Sequence, residues 1–237
     1  MPKHGRKYRE AAKLIEPGRL YSPIEALDLV KETGYTSFDA TIELHLRTGL
    51  DPRHADQQVR GVVLLPRGTG KEVRILVFAE GEAERNAREA GADYVGSDDL
   101  VEKIQGGWFD FDVAIATPPM MRKVGRLGRL LGPRGLMPSP KAGTIVAEED
   151  LERVINETRQ GRVEYRVDKT ANLHVPIGKV SFATDALLEN MAAVMETIVK
   201  ARPAALKGTY IRKVTLCHTM GPAVRVEPMA ATAMKTV

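Results

Sequence analysis

Between Phe38 and Arg47 the chain alternates. Phe38, Ala40, Ile42, Leu44 and Leu46 fall on one side of an extended strand, and Asp39, Thr41, Glu43, His45 and Arg47 on the other. A strand with one polar side belongs to a sheet buried on a single face, which calls for an antiparallel partner. Val59–Leu65 reads as the second strand. Two helical patterns precede them. A basic one covers residues 3–16 and ends at Pro17-Gly18. The other opens at Ser22-Pro23-Ile24-Glu25, where Ser22 caps, Pro23 fits the first turn and Glu25 completes a capping box; Ala26, Leu27 and Val30 share its apolar face.

From Val73 the pattern changes. Val73–Ala79 is a continuous apolar run, followed by a helix over about Glu82–Ala90, a short strand at Tyr94-Val95, a helix from Asp98 to Gln105 and a buried strand at Asp112–Ala116. Strand and helix in alternation spell a small parallel α/β unit. Glu148–Gln160 is an amphipathic helix stopped by Gly161. Leu173–Ile177 then reads as a strand, Asp185–Lys200 as a helix with Leu187, Leu188, Met191, Val194, Met195 and Ile198 inward, and Tyr210–Thr219 and Ala223–Val226 as strands. Residues 228–237 read as a frayed tail. Antiparallel α+β grammar thus brackets a parallel core. The expected fold combines α+β and α/β: a split domain with an antiparallel sheet, residues 1–67 plus 161–237, and an inserted three-layer, Rossmann-like domain, residues 68–160. Glycines at both crossings predict a hinge.

Charge sharpens this picture. Lys+Arg number 35 and Asp+Glu 31, so the signs nearly balance, yet they are not evenly spread. Val113–Ala147 contains no acid but carries Arg122, Lys123, Arg126, Arg129, Arg134 and Lys141. Between Glu196 and Glu227 the only charged residues are Lys200, Arg202, Lys207, Arg212, Lys213 and Arg225. Two separated basic tracts suggest a polyanion held at more than one place, nucleic acid above all; ordinary solvated surface is the plainer alternative. Aromatic residues make up 5%, too few for stacking successive single-stranded bases, which favours a structured RNA or duplex.

The single Cys217 excludes an internal disulfide and a multi-cysteine zinc site, and it reads as a small buried side chain. No apolar run resembles a signal peptide or a membrane span, so a cytoplasmic protein is expected. Gly68-Thr69-Gly70-Lys71 is not a phosphate loop: Leu65 stands where its first Gly is required, Glu72 follows the Lys, and a strand comes next. His4, His45, His54, His174 and His218 show no metal-ligand spacing, and no acid/base pair stands out, so neither cofactor nor catalysis is expected.

Within Gly125–Lys141 arginines recur beside glycines. Backbone amides could approach phosphates there, with the Arg forks binding them and Leu127, Leu130, Leu131, Leu136 and Met137 as anchors. A surface Ω-loop accounts for the same composition. Thr219-Met220-Gly221-Pro222 reads first as a tight turn, while its hydroxyl, apolar surface and glycine also suit contact with ribose. Phe38 reads as core from its pattern.

Ordered motifs along nearly the whole chain resemble the bacterial large-subunit ribosomal L-one family. They include Met1-Pro2-Lys3-His4-Gly5, Ser37-Phe38-Asp39, Asp51-Pro52-Arg53, Gln58-Val59-Arg60-Gly61, Ala90–Gly96, Leu130–Gly143, Asp168-Lys169-Thr170 and Thr219-Met220-Gly221. The resemblance implies a non-catalytic protein of the large ribosomal subunit, cytoplasmic and monomeric when free. It would bind the stalk region of large-subunit rRNA, help release deacylated exit-site tRNA and repress its own operon mRNA. It carries RNA contacts onto Phe38, Thr41, Glu43, Asp168, Lys169, His174, Lys179, Ser181, Thr219, Met220 and Gly221. The basic residues of 122–141 would add secondary ones. Ala171 stands where the family often has Gly, and Cys217-His218 where hydroxyl residues are usual; His218 either contacts RNA or points away. A stand-alone translational repressor, and an α/β enzyme acting on a phosphorylated ligand, are the rival classes.

Overall fold

The computed structural model describes residues 4–235; Met1–Lys3 of the resemblance and the last two tail residues lie outside this range. In chain order the elements are α1 (Arg6–Ala12), α2 (Pro23–Glu32), β1 (Thr41–Thr48), β2 (Arg60–Leu64), β3 (Ile75–Phe78), α3 (Glu82–Glu89), β4 (Tyr94–Gly96), α4 (Asp98–Gln105) and β5 (Val113–Ala116). There follow α5 (Met121–Val124), α6 (Gly128–Leu131), α7 (Leu151–Gln160), β6 (Arg162–Arg166), β7 (Asn172–Lys179), α8 (Thr184–Lys200), β8 (Ile211–His218), β9 (Val224–Val226) and α9 (Pro228–Thr232). The chain divides into two compact units, Met1–Gly70 with Val163–Val237, and Lys71–Arg162.

In the split unit, β1 lies in a four-stranded sheet of order β7-β1-β8-β9. Its alternation explains the layering. Ile42, Leu44 and Leu46 are fully buried and join Leu27, Val30, Met191, Met195 and Ile198 in one core beneath the sheet. The predicted capping box starts α2: the Glu25 amide donates to Ser22 Oγ at 3.3 Å and the Ser22 amide to Glu25 Oε2 at 3.1 Å. The other sheet face carries Thr41, Glu43, His45 and Arg47 and has no helix over it among the described residues.

Both neighbours of β1 are antiparallel to it, but they are β7 and β8 rather than the strand that follows it in sequence. β2 instead pairs with β6, a strand not among those expected from the sequence. Gly61 of β2 lies so close to the Tyr165 ring that a Cβ there would overlap it, and Arg60 pairs with Glu164. The tail also differs from expectation. α9 packs on the core, Ala231 is fully buried, and Met234 lies against the same cluster.

The inserted unit has three layers. Its parallel sheet runs β4-β3-β5, with Ile75–Phe78 wholly buried at its centre. Ala83 and Ala87 of α3 pack with Leu151, Val154 and Ile155 of α7 around Ile75, Val77 and Ile115 in one core. A second core gathers Leu100 and Ile104 of α4 with Met120, Val124, Leu127 and Leu131 around Leu76 and Phe78. Those last four recur at helical spacing, and 118–131 is a chain of short α and 3-10 turns rather than an irregular loop. Gly125 and Gly128 have ordinary right-handed helical angles (φ −55° at both), so no open phosphate-cradling loop forms there. Leu130, expected as an anchor, is exposed.

Candidate nucleic-acid interface

Thr219-Met220-Gly221 is the turn after β8, and its geometry is tightly determined. The Thr219 amide donates to the Thr41 carbonyl at 2.9 Å, and the Gly221 amide to the His218 carbonyl at 2.8 Å. Met220 takes the left-handed conformation at φ 72°, which costs a non-glycine residue roughly 1–2 kcal/mol. Two side chains hold it there, one of them from far away in sequence. The Tyr35 hydroxyl donates to the Met220 carbonyl, and the His218 ring lies under Gly221, where any Cβ would overlap it. His218 is buried, with ring nitrogens 3.0 Å from the Thr219 carbonyl oxygen and 3.1 Å from that of Thr33. It is a support of the turn, neither free to reach a ligand nor turned idly away. The result is a Met220 side chain 69% exposed just beyond the end of β8.

Thr41, Lys179 and Ser181 meet beside this turn. Thr41 is opposite Lys179 in the register, and Lys179 Nζ donates to Thr41 Oγ1 at 2.9 Å. Ser181 bonds to both carboxylate oxygens of Asp39, by its amide at 3.1 Å and its hydroxyl at 2.7 Å. Phe38 precedes β1 instead of lying on its inner side. It is 55% exposed, so the expectation of a core residue fails: the strand begins only at Thr41, and the alternation, which still buries Ala40, breaks at Phe38. An exposed phenylalanine and an exposed methionine therefore flank one corner of the sheet.

Further along the open face, Glu43 and His45 project beside His174 and Cys217. The Nδ1 atoms of His45 and His174 are 2.7 Å apart, and His45 Nε2 lies 3.0 Å from Cys217 Sγ and 3.7 Å from Glu43. Burial, then the neighbouring His174, lower the pKa of His45, against a smaller opposing pull from Glu43. Cys217 is half-buried rather than enclosed, and burial followed by the Glu43 charge raises its pKa. Among the described residues no group of three or more His, Cys, Asp or Glu could hold a metal ion.

Asp168 and Lys169 sit at the far end. Asp168 Oδ1 accepts from the amides of Thr170 at 2.8 Å and Asn172 at 2.7 Å. Burial opposes ionisation, but these bonds and the Thr170 hydroxyl outweigh it and hold the carboxyl at about 2. Asp168 thus builds the turn, leaving Lys169 exposed on it. The predicted positions form a track, not a point. From Thr41 to Arg47 a strand covers about 20 Å, and the track runs from the Thr219 turn through Glu43 and His174 to Lys169. Tyr35, Asp39 and His45 belong to it and were missed. His45 was visible in the polar side of the alternation; Tyr35 carried no signal.

The inserted unit holds the other basic group. Arg122, Arg126 and Arg129 are exposed at helical spacing, and Arg134 lies over the Phe109 ring with its guanidinium carbon 3.9 Å from the centroid. Lys141 is exposed on its 3-10 turn. Lys123 is different: it bridges Glu80 and Asp98, at 2.5 and 2.7 Å, and both bonds raise its pKa.

Residues 30–222 match the profile described as the ribosomal protein L1p/L10e family. Similar proteins include the large ribosomal subunit protein uL1 of Chloroflexus aurantiacus, 62% identical over 99% of this chain and 100% of its own length. The protein of the same name from Lactobacillus acidophilus is 56% identical over 97% and 99%. With the split sheet, the inserted parallel unit and the ordered motifs all in place, such similarity across the full length assigns this chain to the ribosomal protein L1p/L10e family.

Proposed function

We propose that this chain is a constituent of the large ribosomal subunit and binds structured RNA with the open sheet face of its split unit. The observation that carries the reading is the Thr219-Met220-Gly221 turn: a strained backbone, held by Tyr35 and His218, that presents an exposed Met220 beside Phe38 and hydroxyl-bearing Thr41. Strain maintained by surrounding structure is characteristic of binding sites. An apolar tip among hydroxyls, with an acid at Glu43, suits the shallow groove of an RNA helix, where 2′-hydroxyls and base edges are presented. Large-subunit stalk rRNA is the main ligand in this reading. An mRNA copy of that site would make the protein a repressor of its own operon. Exit-site tRNA would meet the basic group of the inserted unit. The role is non-catalytic.

The test is a filter-binding assay against the stalk rRNA fragment and a scrambled hairpin at two salt concentrations. Selective binding that survives the higher salt is expected. Met220→Asp should abolish selectivity while circular dichroism and the melting transition stay unchanged. Wild-type affinity in that variant would remove the turn from the interface.

A further inference from the structure

The basic residues between Glu196 and Glu227 have no part in the interface described so far, yet the sheet brings two of them onto the same face. Register sets Lys213 of β8 directly opposite Arg47 of β1. Arg225 of edge strand β9 is opposite Thr215, itself opposite His45. Outward positions recur every second residue, so Lys213 and Thr215 share the open face, and Arg225 lies diagonally from Lys213, roughly 7–8 Å away by sheet geometry.

A bulge contributes. Arg47 pairs with Lys213 but Thr48 with Ile211, so Arg212 is the extra residue, and Arg212 and Lys213 are exposed in succession. Bulges re-aim side chains in this way and recur beside functional sites. The three cations are also uncompensated. Arg47 is turned toward the Thr170 carbonyl and Asn172 Oδ1, whereas Arg212, Lys213 and Arg225 have no carboxylate within salt-bridge distance among the described residues. Like charges directly across a strand pair disfavour the folded sheet. The face also carries Glu43, but no acid is paired with these cations, which leaves them available to an anion from outside.

We propose that Lys213 and Arg225, with Arg212 beside them, form a second phosphate-binding patch, holding the backbone of the same RNA whose ribose and base edges meet the Thr219 turn. This rests on the RNA reading above and extends it across β8 to the edge of the sheet. The patch lies near the Arg47 end of β1 and the Thr219 turn at the Thr41 end, a separation comparable to the width of an RNA duplex. Specific contacts at one end and phosphate contacts at the other would fix the orientation of the helix on the protein.

The experiment measures stalk-fragment affinity of the full chain from low to high salt, for wild type and for Lys213→Gln with Arg225→Gln. The double variant should bind about tenfold more weakly at low salt, and its log K against log salt should be shallower by about 2. Its preference for the stalk fragment over the scrambled hairpin should persist. Its melting temperature should be equal to wild type or higher, because repulsion from Arg47 is relieved. Unchanged slope and affinity would overturn the patch. The wild-type titration alone judges the RNA reading: if it shows no preference between the two RNAs, that reading fails, while the difference in slope between the two proteins still decides whether these cations meet phosphate.

Discussion

Single residues at this interface divide into those that face outward and those that fix the backbone behind them. Asp168 is of the second kind. Its carboxylate serves the Thr170 and Asn172 amides and the Thr170 hydroxyl, which is why it titrates at about 2 rather than 3.8. A pKa depressed in the folded state adds stability above the unfolded value, and that stability disappears as pH falls through the folded one. Asp168→Asn should therefore lower the melting temperature by a constant amount above about pH 5, with the gap closing between about pH 4 and pH 2. Melting curves across that range check it, and a gap that persists at the lowest pH would mean the turn does not depend on the ionised form. The RNA-facing Met220 shows the opposite division: its backbone is set by Tyr35 and His218, leaving its side chain without a structural task. Which residues do which was not legible from motif positions. His218 occupies a strand end and reads as outward or inward with equal ease; only the ring lying beneath Gly221 resolves it.

Elements followed local pattern closely wherever the period was unbroken. The capping box, the apolar stripe of α2, the buried run of β3 and the alternation of β1 all lie as their sequences dictate. β6 carries the same signal, with Val163, Tyr165 and Val167 alternating inward just after Gly161. The segment 118–131 shows a physical limit: frequent glycine suggested a loop, but Met120, Val124, Leu127 and Leu131 gain more from burial at helical spacing than the glycines lose. The connection from β6 to β7 carries a conformational cost of its own. Ala171 sits at φ 62° and is buried, its carbonyl accepting from the Thr48 amide at 2.9 Å and hydroxyl at 2.8 Å. Those bonds lock the left-handed angle that a Cβ disfavours. Ala171→Gly should relieve it and raise the unfolding free energy by about 0.5–1 kcal/mol by denaturant titration; a loss instead would mean that the methyl's packing outweighs its strain.

At the scale of the whole molecule, two units with separate cores carry two kinds of cation. In the inserted unit Arg126 and Arg129 are exposed and free to meet phosphate, whereas Lys123 is tied to Glu80 and Asp98. Arg126→Gln with Arg129→Gln should make the salt dependence of RNA binding shallower by roughly 2, while Lys123→Gln should leave the slope unchanged and lower the melting temperature. Equal slopes for all three proteins would confine RNA to the split unit. The sequence by itself determined what is local: the period of each element, the face side chains take where that period is unbroken, the caps, the break between antiparallel and parallel grammar, and the family. Tertiary structure alone decided the rest. Tyr35 and Met220 are 185 positions apart, and His45 and His174 are 129 apart, yet they touch. Backbone hydrogen bonding is the same for every strand, so alternation tells a strand which way to face without naming its neighbour. Only packing around a common core selects the order β7-β1-β8-β9, and that order brings the turn, the histidines and the cations of β8 and β9 onto one surface.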